Sequence, residues 1–189
     1  MNKVKFGLSN VHVWPIKEES PDSVTYDEVV KIPGAVNLSL DVEGDSNKFY
    51  ADDIVYFSQF ANNGYSGDLE LALIPDEFKI KILDFEEDKN GALFENVNAT
   101  PKNFAMAFEF KGDKKKTRRL YYNVSAARPS DSHATVEESI EPETETLQIT
   151  CIPRMDTGDI TVKLEEGKVG YDTFYDTVYE KVPQVEGEL

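Results

Sequence analysis

The chain has 189 residues and a formal net charge of −16, from 20 basic and 36 acidic residues. Such a charge argues against a non-specific nucleic-acid binder and against a protein of anionic lipid surfaces, since both need a basic face. With 40% hydrophobic residues the chain is too apolar for a disordered acidic polymer, yet no apolar run approaches the roughly 18 residues that span a bilayer. We expect one domain over residues 1–182 and a flexible C-terminal tail over 183–189.

Alternation of apolar and polar residues recurs along the chain and predicts strands. In chain order these segments are Val4–Val13, Tyr26–Ile32, Val36–Val42, Phe49–Gln59, Leu69–Ile74, Phe104–Phe110, Leu120–Ser125, Thr146–Cys151 and Ile160–Leu164. Turn signals such as Pro33-Gly34 and Asn90-Gly91 separate them. Many short strands at this spacing predict a mainly β domain of the sandwich or barrel type.

Two segments favour a helix. Pro75-Asp76-Glu77 suits a helix start, although the alternation over Lys79–Ile82 is also compatible with a strand. The second helix is predicted from Asp172 to Lys181, because Phe174 and Val178 are i,i+4 neighbours. The fold class is therefore mainly β with one or two short helices.

The apolar faces of the clearest strands define a candidate core. Its predicted members are Leu69, Leu71, Leu73, Phe104, Phe108, Leu120, Val124, Leu147 and Ile149. The polar stretch Pro129–Glu145 is longer than a connection needs, and we expect a long loop there.

Residues with catalytic or metal-binding potential are scattered. His12, expected to be an ordinary surface or edge residue, and His133 lie far apart, and Cys151 sits alone on the apolar face of its strand. Asp52 and Asp53 are adjacent, so on a strand they would point to opposite faces and form no carboxylate pair. We expect no enzyme, and no catalytic, cofactor or metal site.

A basic cluster is the most distinctive charged feature. It contains six of the chain's 20 cations: Lys111, Lys114, Lys115, Lys116, Arg118 and Arg119. Either it is a solvated hairpin tip, or it contacts an acidic surface of another copy, such as the five glutamates within 137–145. The candidate subunit-interface residues are Lys114, Lys115, Lys116, Arg118 and Arg119.

Composition and spacing alone favour a self-assembling structural protein and a binding module about equally. Further information comes from seven framework segments that are spread over most of the chain. They are Phe6–Val11, Ile32–Leu38, Phe49–Asp53, Asn63–Leu71, Pro75–Phe78, Arg118–Tyr122 and Glu143–Leu147. In their order and number these segments resemble the major tail proteins of long-tailed siphophages of Gram-positive bacteria.

The resemblance implies a tail-tube subunit: a β-sandwich flanked by a helix, assembled into stacked hexameric rings. Inner sheets of six copies would close a β-barrel around a lumen that DNA and a tape-measure protein occupy, with tail-end proteins as further partners. The protein would be located in the virion tail after assembly in the host cytoplasm. We expect residues 44–48 and 129–145 to order against neighbouring subunits.

The net charge has two interpretations within that family. Six copies carry 6 × −16 = −96 formal charges, and an acidic lumen would conduct DNA without binding it. Alternatively, the acidity serves solubility alone.

Three other functions remain open. A carbohydrate-binding β-sandwich of a host-recognition structure would use exposed aromatic residues, for which Trp14 and nine tyrosines are available. A hydrolase would use carboxylate pairs. A bacterial injection-tube protein would share the ring architecture.

Overall fold

The computed structural model describes residues 7–51, 53–129 and 143–183. Within them the chain forms thirteen strands and one helix. In chain order these are β1 Leu8–Glu19, β2 Val24–Tyr26, β3 Val30–Ile32, β4 Ala35–Glu43, β5 Ser46–Ala51, β6 Ile54–Phe60, β7 Gly64–Leu71, α1 Asp76–Lys81, β8 Glu86–Glu87, β9 Leu93–Phe94, β10 Phe104–Phe110, β11 Arg118–Ala126, β12 Glu145–Ile152 and β13 Thr161–Leu164. The mainly β prediction is confirmed. No helix in the described part of the chain is long and apolar enough to cross a membrane.

In the part of the chain that the structure describes, nine strands form one antiparallel sheet. Its order is β2-β1-β10-β11-β12-β7-β4, with β3 also pairing with β1 and β13 also pairing with β11. One edge of β11 pairs with β10, and its other edge pairs with two strands, because Arg118–Tyr121 pair with β13 and Asn123–Ala126 pair with β12. The turn at Pro33-Gly34 joins β3, which pairs with β1 near one end of the order, to β4 at the other end, and β4 also contacts β1. The sheet therefore curves back on itself.

The main core lies on the concave side, where α1 packs. The helix begins after Pro75, as predicted from its start signal, and buries Phe78 in a T-shaped contact with Phe104 at 5.5 Å. All predicted core positions are buried except Leu73, which is 64% exposed. That prediction was wrong because β7 ends at Leu71 and the chain then bends away from the strand direction.

Residues 165–183, here called the strap, cover the other face of β1, β10 and β11. The strap buries Tyr171, Phe174 and Val178, and the last two join a second apolar cluster with Trp14 and Leu120. The predicted helix at 172–181 is wrong, because the strap is a series of turns.

The strap's backbone bonds explain the absence of a helix. The carbonyl oxygens of Tyr171 and Tyr179 accept hydrogen bonds from the side chains of Arg118 and Tyr122 on the sheet. Its own backbone bonds span three residues, as from Phe174 N–H to Tyr171 O. The sheet thus satisfies backbone groups that a helix would satisfy internally.

Two other predictions concern strand breaks. The single strand expected over 49–59 is wrong: the chain reverses near Asp53, which adopts a positive φ of 59°, and forms the β5–β6 hairpin. Asparagine and aspartate tolerate that conformation better than most residues. The Asn90-Gly91 turn is confirmed, since it lies between the paired strands β8 and β9 and Gly91 has φ 83°.

Several expectations fall outside the described residues. They concern the start of the predicted first strand at residues 4–6, the side chain of Asp52, the expected loop at 130–142 with His133, and the tail from residue 184 onward.

Candidate functional site: three exposed surfaces

The first surface is a hairpin that extends beyond the sheet. The β4–β7 ladder ends at the pair Glu43 and Gly64. Beyond it, the two segments of the hairpin are joined by the hydrogen bond from Ala61 N–H to Asp45 O at 3.0 Å. β5 and β6 then continue the hairpin, and residues 46–60 are here called the arm. Gly44 permits the transition, because an added Cβ would lie 1.9 Å from the Ala61 carbonyl oxygen.

The arm is apolar and exposed on both faces. Along β6, Ile54, Tyr56 and Phe60 share one face and are 62%, 74% and 78% exposed, while Val55 and Phe57 on the other face are also exposed. A two-stranded hairpin of this kind is at best marginally stable by itself in water. A contiguous exposed apolar surface of this kind marks an interaction site.

The second surface is the outward face of β4, β7 and β12. In the register, Asp68 lies between Ser39 and Gln148, and Glu70 lies between Asn37 and Thr146. The opposite face of the same strands carries Leu38, Leu69 and Leu147, which pack in or against the core. This outward face, here called the acidic face, is therefore fixed by the alternation of the strands.

The acidic face carries carboxylates without cations. Asp41, Glu43, Asp68 and Glu70 all point outward, and the sequences of the three strands contain no lysine or arginine. The hydroxyl group of Thr144 donates to Glu70 at 2.7 Å, and that of Ser66 donates to Glu43. β4 is also an edge strand, since its pairing with β7 is its only one within the described ranges.

The third surface is the basic turn, residues 111–117 between β10 and β11. The buried Asp113 shapes it by accepting hydrogen bonds from the backbone N–H groups of Lys115 and Thr117, at 3.1 and 3.2 Å. Lys115 and Lys116 form ion pairs with Glu165 and Glu166 of the strap, the first at 2.9 Å.

The predicted interface residues thus also act within their own chain. Arg118 pairs with Glu109 at 3.3 Å and lies 3.9 Å from the ring centroid of Tyr171, and Arg119 lies 5.8 Å from that of Tyr121. Lys114 is exposed and has no ion pair among the described residues. Their contact with another copy stays a prediction. The acidic segment proposed as their partner lies mostly outside the described ranges.

The residues considered for chemistry are spread over the molecule. His12 is half-buried instead of at the surface, and its ring stacks on Tyr175 at 4.4 Å. Burial lowers the pKa of His12, although its bond to the Asn10 carbonyl opposes this. Cys151 is buried, and burial raises the pKa of its thiol to about 12. Asp53 lies in the arm's turn.

Two further observations concern binding. Trp14, considered as an aromatic platform, is 2% exposed, whereas exposed tyrosines such as Tyr56 lie on the arm. Among the described residues no group of three or more His, Cys, Asp or Glu side chains could hold a metal ion.

The sequence matches no family model and no curated protein. Among solved structures, the fold is similar to the cryo-EM structure of the anti-feeding prophage cap, described as a tube terminating cap. That similarity has a TM-score of 0.45 and 8% sequence identity, and it covers 87% of this chain and 94% of the other. At that TM-score the likeness assigns neither a fold family nor a function to this chain.

Proposed function

We propose that this chain is a structural subunit of a phage tail tube that self-assembles into stacked, six-membered rings. The observation that carries the proposal is the arm, whose apolar side chains are exposed on both faces and need a protein surface to cover them. The resemblance of the framework segments to siphophage major tail proteins supplies the kind of assembly. In it, the arm of each subunit packs against other copies.

The acidic face supports the proposed lumen. In the tube, β4, β7 and β12 of each copy line the channel, and the open edge of β4 pairs with a neighbouring copy to close the barrel. Asp41, Glu43, Asp68 and Glu70 then face the DNA. Because phosphate contacts with cations supply most non-specific affinity, a wall without lysine or arginine conducts DNA without binding it.

The partners and location follow from the same proposal. The tape-measure protein occupies the lumen before DNA, and tail-end proteins bind the two ends of the tube. The subunit has no catalytic activity and no cofactor, and it resides in the virion tail after assembly in the host cytoplasm.

Electron microscopy of the purified protein at rising concentration tests the proposal. The parent protein should form rings or tubes, and Tyr56→Ser/Phe60→Ser should remain a folded monomer because it removes the apolar area of one arm face. The matched control is Val97→Ser/Val169→Ser, which alters two apolar residues that are 85% and 94% exposed elsewhere. A parent that stays monomeric, or an arm variant that forms normal tubes, contradicts the proposal.

The exposed aromatic side chains of the arm also favour a second candidate, a carbohydrate-binding module of a host-recognition structure. Aromatic rings such as Tyr50, Tyr56 and Phe57 would then stack on sugar rings. This candidate predicts a monomer that binds host-wall glycans and loses that binding on Tyr56→Ser. The tube proposal predicts assembly and no glycan binding.

A further inference from the structure

A surface groove of about 540 Å³ lies at the end of the sheet where β1 pairs with β2. The buried side chains of Trp14 and Val178 contribute its apolar base. Asp27, Glu28 and Asp176 contribute carboxylates to its lining. An apolar base with a carboxylate rim suits a segment that presents both methylene groups and positive charges, as lysine side chains do.

The three groove carboxylates have no ion pair within the described part of the chain. Glu180, the fourth carboxylate of the lining, is already paired with Arg154 at 2.8 Å. The pKa of Lys81 is raised mainly by its hydrogen bond with Glu77, and Asp27 and Glu28 add to this electrostatically. The ion pair of Lys81, however, is with Glu77 at 2.9 Å. Among the described residues of the lining, Lys17 is the one cation. The groove therefore keeps an excess of negative charge.

The basic turn has the complementary excess. Lys115 and Lys116 are paired with the strap, whereas Lys111 and Lys114 are exposed and have no ion pair among the described residues. The bonds of Asp113 to the turn's backbone hold these lysines in a defined turn instead of a flexible loop. The turn thus presents two lysines, Lys111 and Lys114, that form no ion pair with any residue the structure describes.

Groove and turn lie at opposite ends of the same strands. Leu8 of β1 pairs with Phe110, next to the turn, whereas Ile16 pairs with Tyr26, next to the groove. Eight residues of strand at about 3.3 Å each separate the two ends by roughly 26 Å. A lysine side chain cannot span that distance within one molecule.

We propose that the basic turn of one copy docks in the acidic groove of a second copy, with Lys111 and Lys114 facing Asp27, Glu28 and Asp176. The proposal rests on the self-assembly proposed above and names which surfaces meet. Because the two surfaces differ, the contact is head-to-tail, and each copy keeps one free turn and one free groove for further copies. Such an interface extends an assembly instead of closing a dimer.

Cysteine cross-linking tests the contact directly. Lys114→Cys and Thr177→Cys place thiols in the turn and in the groove, and the native Cys151 is buried with a raised thiol pKa and does not interfere. A mixture of the two variants, one carrying a size tag, should form mixed disulfide dimers at concentrations where the parent assembles. Lys89→Cys, an exposed lysine outside the turn, is the control for Lys114→Cys. No cross-link, or an equal yield with the control, overturns the proposal.

A charge exchange between the two surfaces is the second test of the contact. Lys111→Glu/Lys114→Glu and Asp27→Lys/Asp176→Lys should each raise the critical concentration for assembly by about 2- to 30-fold, as expected for two exposed ion pairs. A mixture of both variants should recover part of the loss, because the reversed surfaces complement each other. Controls with the same charge changes are Lys89→Glu/Lys102→Glu and Glu86→Lys/Glu87→Lys, all at exposed positions.

The outcomes separate the two proposals. Unchanged critical concentrations in a parent that forms tubes overturn the turn-to-groove contact and leave the proposed function standing. A parent that stays monomeric at every concentration overturns both.

Discussion

Arg154 and Glu180 tie the end of the strap to the sheet. Nη1 of Arg154 donates hydrogen bonds to both carboxylate oxygens of Glu180, at 2.9 and 2.8 Å. Nε and Nη2 of the same guanidinium donate to Asp156 at 2.8 and 2.7 Å. Burial alone would lower the pKa of Arg154, but these bonds raise it, so the group stays charged. One buried cation thus joins the turn after β12 to the strap.

Removing that cation should destabilise the protein strongly. Arg154→Leu should lower the free energy of unfolding by about 3–5 kcal/mol, because the Arg154 side chain is 5% exposed and its loss leaves the enclosed Asp156 carboxylate with the backbone N–H of Thr157 but without its cation. Glu180→Gln should cost only about 0.2–1 kcal/mol, since the Glu180 side chain is 58% exposed. Urea unfolding measures both, and equal losses would contradict the assignment of Arg154 as the central group.

The same cluster predicts an acid-sensitive contribution to stability. The bonds from Arg154 hold the pKa of Asp156 below its usual value near 3.9, so folding favours the ionised carboxylate. The contribution is complete above the unfolded-state pKa and is lost as the pH falls through the lower folded-state pKa. The stability difference between the parent and Asp156→Asn should be constant from about pH 5 to 7 and shrink below about pH 4. A difference that is independent of pH would contradict this.

Sequence alone could predict the strands and most of the core, because alternation reports directly which side of a strand is buried. It placed Phe104 and Phe108 correctly, since they lie within one regular strand. The prediction that Leu73 is buried failed because the apolar–polar alternation in the sequence continues past Leu71, where β7 ends. It failed for the strap because the i,i+4 spacing of Phe174 and Val178 also suits turns bound to a sheet.

The contrast between Phe108 and Leu73 gives a further prediction. Phe108→Ala should lower the free energy of unfolding by about 3–5 kcal/mol, because the side chain is buried against Phe110 and Tyr121. Leu73→Ala should change it by no more than about 0.5 kcal/mol, because Leu73 is exposed. Reversible unfolding in urea measures both changes. A large loss for Leu73→Ala would show that its apolar surface is covered in the free protein.

The candidate surfaces were predictable only in part. The basic cluster is evident from the sequence, but its pairs with Glu165 and Glu166 depend on the path of the strap. The acidic face requires the pairing of β4 with β7 and of β7 with β12, which no local pattern specifies. The sequence pattern predicted one strand over most of the arm instead of a hairpin. In the sequence, the only signal for the turn of that hairpin was Asp52-Asp53.

The acidic face yields the prediction that bears most directly on the lumen. Asp41→Lys/Asp68→Lys puts two cations per copy on the outward face of neighbouring strands. Tubes of this variant should retain short duplex DNA that tubes of the parent do not retain. Each new phosphate contact adds affinity that falls with salt, so retention at about 50 mM salt should be largely lost by about 200 mM. Co-sedimentation of labelled DNA with assembled tubes measures this.

The matched control for that experiment is Glu86→Lys/Glu87→Lys, which makes the same charge change on β8, outside the nine-stranded sheet. If the control retains as much DNA as the acidic-face variant, the effect follows from net charge and not from the lumen. Asp41→Asn/Asp68→Asn is the milder variant, should the lysines prevent assembly. It removes repulsion without adding attraction, so its tubes should retain less DNA than the lysine variant and more than the parent. Parent tubes that retain DNA as strongly as either variant would contradict the assignment of this face to the lumen.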